Sequence, residues 1–119
     1  MKDKKNVVNK YSAKKHLGIS VSVITVAELQ HGVSSSIYIE KNAKNLADFL
    51  TGFTVLDFDS VAAVEYGNIC ADLYKKGKLI GPMDMLIGAH AKSIGLTLVT
   101  NNTREFGRID GLDIEDWLE

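Results

Sequence analysis

Helical and extended spacings of apolar residues alternate along the chain. Residues 2–16 are polar apart from Val7, Val8 and Tyr11, whose single stripe predicts a helix stopped near Gly18. Residues 19–23 (ISVSV) alternate β-branched and small side chains, as a strand does. Thr25-Val26-Ala27-Glu28 then matches the S/T-x-x-E capping box and predicts a short helix beginning there and ending near Gly32. After Ser34-Ser35-Ser36, Ala43, Leu46, Ala47 and Leu50 mark one face of a helix over 37–50, giving a helical hairpin. A strand at 54–58 (TVLDF) leads to a long helix capped by Asp59 or Ser60. Its apolar positions Val61, Val64, Ile69 and Leu73 run to the cationic stop Lys75-Lys76-Gly77. Pro82 opens the next helix at its favoured first position, with Met85, Ile87 and Ala91 along it until Gly95. LTLVT (96–100) predicts a third strand, and 113–117 a short fourth.

Strands alternating with helices predict an α/β domain whose parallel sheet is flanked by helices through right-handed crossovers. The 119 residues fit one domain spanning 1–119. Ligands of such sheets collect where the chain leaves the carboxyl end of a strand. That rule selects residues 24–28, 58–60 and 100–104.

Hydrophobic residues make up 45% of the chain and charged residues 24%, which excludes a disordered or fibrous polypeptide. The one cysteine, Cys70, reads as a core residue and allows no internal disulfide framework. No apolar run approaches the ~20 residues of a membrane span, and no apolar signal segment follows Met1, so a cytoplasmic protein is expected. The net charge of -1 hides an asymmetry: six lysines against one acid up to Leu17, and six acids against Arg108 from Glu105 onward. A lysine-rich arm can attract nucleic acid, although a solvated end is the commoner reason for such a run.

Glu28 and Asp84 are the acids best placed for chemistry. Each also has a plain structural explanation, Glu28 as the reciprocal half of a capping box and Asp84 as an acid at the positive end of a helix. Asp84 is followed by the almost wholly apolar Met85-Leu86-Ile87-Gly88-Ala89, so its carboxylate is expected at the mouth of the core. Two carboxylates held ~5 Å apart repel by about 3 kcal/mol at an effective dielectric near 20. A hard divalent cation, Mg²⁺ or Mn²⁺, relieves that repulsion, lowers the pKa of a bound water and orients a phosphodiester. Thr100, Asn101, Asn102, Thr103 and Arg104 follow the third strand, either as a turn or as groups that grip a phosphate backbone. His31 forms only one E-x-x-H pair with Glu28, and His16 and His90 are expected to be surface or partly packed histidines.

The order of four segments resembles the PIN-domain ribonucleases, specifically VapC-type toxins of prokaryotic toxin-antitoxin modules. They are SVITVAELQHGV (22–33), GPMDMLIGAH (81–90), VTNNTREF (99–106) and GLDIEDW (111–117). The resemblance covers nearly the whole chain from Ile19 and implies a three-layer fold with a parallel sheet between helices. It carries Glu28 and Asp84 onto two of the family's acidic metal positions, and Asn102, with Asn101 and Glu105 nearby, onto its last polar site. It further implies Mg²⁺- or Mn²⁺-dependent cleavage of RNA, often tRNA, a VapB-like antitoxin and a homodimer. The family opens with an apolar strand carrying an Asp, in a pattern such as L-D-T-N, whereas Asp3 follows only Met1-Lys2. The expectation is therefore a fold lacking its first, central strand, between the strands at 19–23 and 96–100. Such a fold closes by direct pairing or by exchange with a second copy, with activity impaired by loss of that Asp, or else the sequence descends from a misplaced start or a truncated gene. A non-catalytic module that binds an antitoxin or dimerises, and an unrelated α/β domain whose acids merely cap helices, remain the alternatives.

Overall fold

The computed structural model describes residues 20–100 and 102–116. The helix expected at 2–16, Asn101 and the end of the segment at 113–117 lie outside them. The described elements run β1 (Ser20–Ser22), α1 (Val23–Ser34), α2 (Ile39–Leu50), β2 (Thr54–Leu56), α3 (Ser60–Lys75), α4 (Pro82–Ser93), β3 (Leu98–Val99), α5 (Thr103–Phe106) and β4 (Ile114–Glu115).

Both strand pairings are parallel, as the alternation of strands and helices requires. The strands do not form one continuous sheet among the described residues: β1 pairs with β2 and β3 with β4, giving two separate two-stranded sheets. Among the described residues β1 is not paired directly with β3. A cleft lined by both strands lies there instead.

The core is built mainly where α3 packs along α4. Ile69 and Leu73 of α3 meet Met85, Ile87 and Ala89 of α4, with Leu98, Phe106 and Ile109 closing the cluster. Asp59 caps α3 by accepting the Ala62 N–H at 3.0 Å, and Pro82 occupies the start of α4. Val61 and Val64 behave otherwise than expected, being 62% and 66% exposed. The buried stripe of α3 runs instead through Ala62, Ile69 and Leu73, so the two valines face away from α4. α1 packs on this core through Ile24, whereas no residue of α2 is fully buried.

The start of α1 also departs from expectation. Its N-cap is Ser22, whose hydroxyl accepts the Ile24 N–H at 3.0 Å, so the helix begins three residues before the expected box. Thr25 is then inside the first turn and buried, and it caps nothing. Glu28 is freed from the capping-box explanation by this shift.

Candidate active site

Glu28 stands on the second turn of α1, half-buried, with Oε1 shielded from solvent. Asp84 stands in the first turn of α4, half-buried, its Oδ2 4.0 Å from the point where a Cβ on Gly81 would lie. Both acids take part in polar or electrostatic interactions within the fold. Their two helices pack against one another, and α4 also touches β1. The short helix α5, read from the sequence as a turn, follows β3 directly and packs on α4.

The loop between β3 and α5 is held by its own polar groups. Thr100 is fully buried, and its Oγ1 accepts the Asn102 N–H at 3.0 Å. The Asn102 side-chain amide donates to Glu105 Oε1 at 3.1 Å, and the Asn102 carbonyl accepts the Phe106 N–H at 3.2 Å. Thr100 thus shapes the loop from beneath, while Asn102 and Glu105 form one linked pair beside it. Arg104 is exposed on α5, where its guanidinium can meet a phosphate. Asn101 lies outside the described residues.

One contributor escaped the sequence reading. His90, expected at the surface or partly packed, is 3% exposed. Its Nδ1 meets Ser22 Oγ at 2.7 Å, and Phe58 packs edge-on against the ring. Burial pushes the imidazole below its ordinary pKa, opposed by the hydrogen bond to the Asp57 backbone and by the charges of Asp59 and Asp57. Ser22 and His90 thus share one hydrogen bond, its donor set by the imidazole tautomer. Ser22 therefore ties the start of α1, which carries Glu28, to α4, which carries Asp84. The residues are 68 positions apart, so no local pattern announces the pair.

Hard oxygen donors are the right chemistry for Mg²⁺ or Mn²⁺. Among the described residues there is no group of three or more His, Cys, Asp or Glu side chains arranged to hold a metal ion. A cation that keeps most of its waters and takes one or two carboxylates asks for no larger group.

The chain matches the PIN-domain family model over residues 3–112. It belongs to the PIN-domain family. It is 51% identical over 98 residues to ribonuclease VapC2 of Haemophilus influenzae, covering 82% of this chain and 74% of that protein. It is 44% identical over 97 residues to the tRNA(fMet)-specific endonuclease VapC of Shigella flexneri, with the same coverage. Among solved structures, the DNA-bound VapBC complex of Salmonella typhimurium superposes with a TM-score of 0.86 at 40% identity, covering 95% of this chain and 85% of that one. A PIN-domain, VapC-like α/β fold is thereby shown.

Proposed function

We propose that this PIN-domain protein is a VapC-like toxin, a divalent-metal-dependent endoribonuclease that cuts phosphodiester bonds of a structured RNA such as a tRNA. The observation that carries the reading is the identity of 44–51% to named VapC nucleases across four-fifths of the chain. Glu28 and Asp84 would hold Mg²⁺ or Mn²⁺, which when bound supplies a Lewis acid and a water of lowered pKa. The protein's own part is placement. Ser22 and His90 tie the start of α1 to α4, Asn102, its amide held by Glu105, would serve as the last polar site residue, and Arg104 would receive the RNA backbone. Asn101, next to Asn102 in sequence, is assigned to RNA contact with it.

The partners follow from the same reading. Solved structures it resembles include VapBC complexes, and this fold exposes large apolar side chains on its hairpin and on α3. Ile37 is 89% exposed, and Tyr38, Val61, Val64 and Tyr74 are open as well. A VapB-like antitoxin and a second copy in a homodimer, with or without exchange of strands, would cover such surface. No helix among the described residues is long and apolar enough to cross a membrane, in keeping with a cytoplasmic site of action.

The second reading, a non-catalytic module that binds the antitoxin, is favoured by the large apolar side chains exposed on the hairpin and on α3, which a partner would cover. Incubation with tRNA and Mn²⁺ decides between them. Cleavage abolished by EDTA and by Asp84→Asn supports the nuclease, whereas antitoxin binding without cleavage supports the module.

A further inference from the structure

The stretch between α3 and α4 delivers Asp84, and its own sequence sets its two ends. Gly77, with a φ of +66°, closes α3 in a turn where the Lys78 N–H donates to the Leu73 carbonyl at 2.9 Å. Pro82 opens α4 with its φ fixed by the ring. Residues 78–81 lie in neither helix, and only Ile80 among them is buried. Here the backbone meets a distant side chain: Arg108 Nη1 donates to the Leu79 carbonyl at 3.1 Å and stands 3.5 Å from that of Lys78. A charged guanidinium binds a carbonyl more strongly than a neutral donor does.

Arg108 is itself well held. It follows α5 on a turn whose next residue, Ile109, is buried and shares the core with Ile80 and Phe106. Asp110 pairs with Lys76 at 3.0 Å, so the same turn is joined to the end of α3 at a second point. The Arg108 N–H donates to the Glu105 carbonyl at 3.0 Å, and Glu105 Oε1 accepts the Asn102 amide. One residue therefore reaches two ways, through its backbone to the partner of Asn102 and through its side chain to the lead into Asp84. Ser22 and His90 join the helices of Glu28 and Asp84, and Arg108 joins the segments of Asp84 and Asn102.

We infer that Arg108 is a positioning residue, which sets the spacing of Asp84 and Asn102 and touches neither the metal nor the RNA. Its guanidinium is engaged by the backbone, whereas that of Arg104 is exposed on α5. The inference rests on the nuclease reading of Asp84 and Asn102 and deepens it.

The test measures tRNA cleavage by the full chain with Mn²⁺, and amide hydrogen exchange without RNA, in the parent, Arg108→Ala, Arg108→Lys and Arg104→Ala. Arg108→Ala is expected to lose about tenfold in kcat with KM within about twofold of the parent, as misplacement of a reacting group does. Arg108→Lys keeps a cationic donor of similar reach and is expected to regain most of that loss. Exchange in Arg108→Ala is expected to quicken at the Lys78 and Met85 amides, which bond to Leu73 and Gly81 at the two ends of the stretch, and to be unchanged in α1. A raised KM with a flattened salt dependence, the result expected of Arg104→Ala, makes Arg108 a phosphate contact and overturns the proposal. So does a fall in kcat without faster exchange at those amides, or a lysine variant no better than alanine. Should Arg108→Ala fail to unfold cooperatively, Arg108→Gln, shorter and neutral, takes its place under the same expectations. A parent that cleaves and is matched by Arg108→Ala refutes the proposal alone, whereas a parent that cleaves no RNA defeats the nuclease reading together with it.

Discussion

Replacing Ser22 by Ala removes two bonds with one atom, and the structure sets what that costs. The Ser22 hydroxyl accepts the Ile24 N–H at 3.0 Å and is hydrogen-bonded to His90 Nδ1 at 2.7 Å. Losing an N-cap costs ~1 kcal/mol, and leaving the buried imidazole nitrogen without its partner costs roughly 1–3 kcal/mol more. The sum, about 2–4 kcal/mol, is a large share of the roughly 5–15 kcal/mol that holds a domain folded. The assay is urea and thermal unfolding of Ser22→Ala beside Ser22→Thr, which keeps the hydroxyl. The alanine variant is expected to melt about 10 °C lower and the threonine variant to stay close to the parent. A double-mutant cycle isolates the tether. Once His90→Phe has replaced the imidazole by an apolar ring, Ser22→Ala is expected to cost only the cap, about 1 kcal/mol. Additive losses, or a loss below about 1 kcal/mol in the single variant, would refute the reasoning that Ser22 and His90 lock α1 to α4.

His90 should also make stability fall in acid: its folded pKa lies below that of the unfolded chain, so the unfolded state takes up the proton first. Its contribution is full above about pH 6.5 and is lost as pH falls from there toward the folded pKa. Melting at intervals from pH 8 to 5 is expected to show this slope in the parent, and to show it reduced in His90→Asn. Gly88→Ala would place a Cβ 2.5 Å from Ile109 Cδ1 and 3.6 Å from Phe106 Cδ1. Overpacking of this kind costs about 1–3 kcal/mol, so a variant as stable as the parent would contradict the described contact of α4 with the core. Arg104→Ala, on an exposed side chain, is expected to raise KM for RNA and flatten the salt dependence of binding without moving the melting temperature.

Much of the fold was legible because it is written locally. Pro82 at a helix start and Asp59 as a cap act through residues within a turn, and the structure keeps both. The capping box at Thr25 and Glu28 had the right letters but lost to Ser22, which ends β1 and lies close enough to His90 to serve α1 and α4 together. Val61 and Val64 fit helical spacing as well as Ile69 and Leu73 do, and only the position of α4 decides which stripe is covered. The same holds for His90, whose burial depends on Ser22 and Phe58 from distant parts of the chain. At the candidate site, Glu28 and Asp84 were visible as acids after a strand and at a helix start. The ladder from Thr100 through Asn102 to Glu105 was not, since a run of polar residues reads equally well as a turn.

Cleavage of purified tRNA by the purified protein, with and without Mn²⁺, most directly tests the central claim that these acids serve a metal-dependent ribonuclease. The account predicts cleavage that needs the metal, stops with EDTA, and is lost in Glu28→Gln and in Asp84→Asn while both variants still unfold cooperatively near the parent temperature. Cleavage that persists in both variants, or that is indifferent to EDTA, would contradict it.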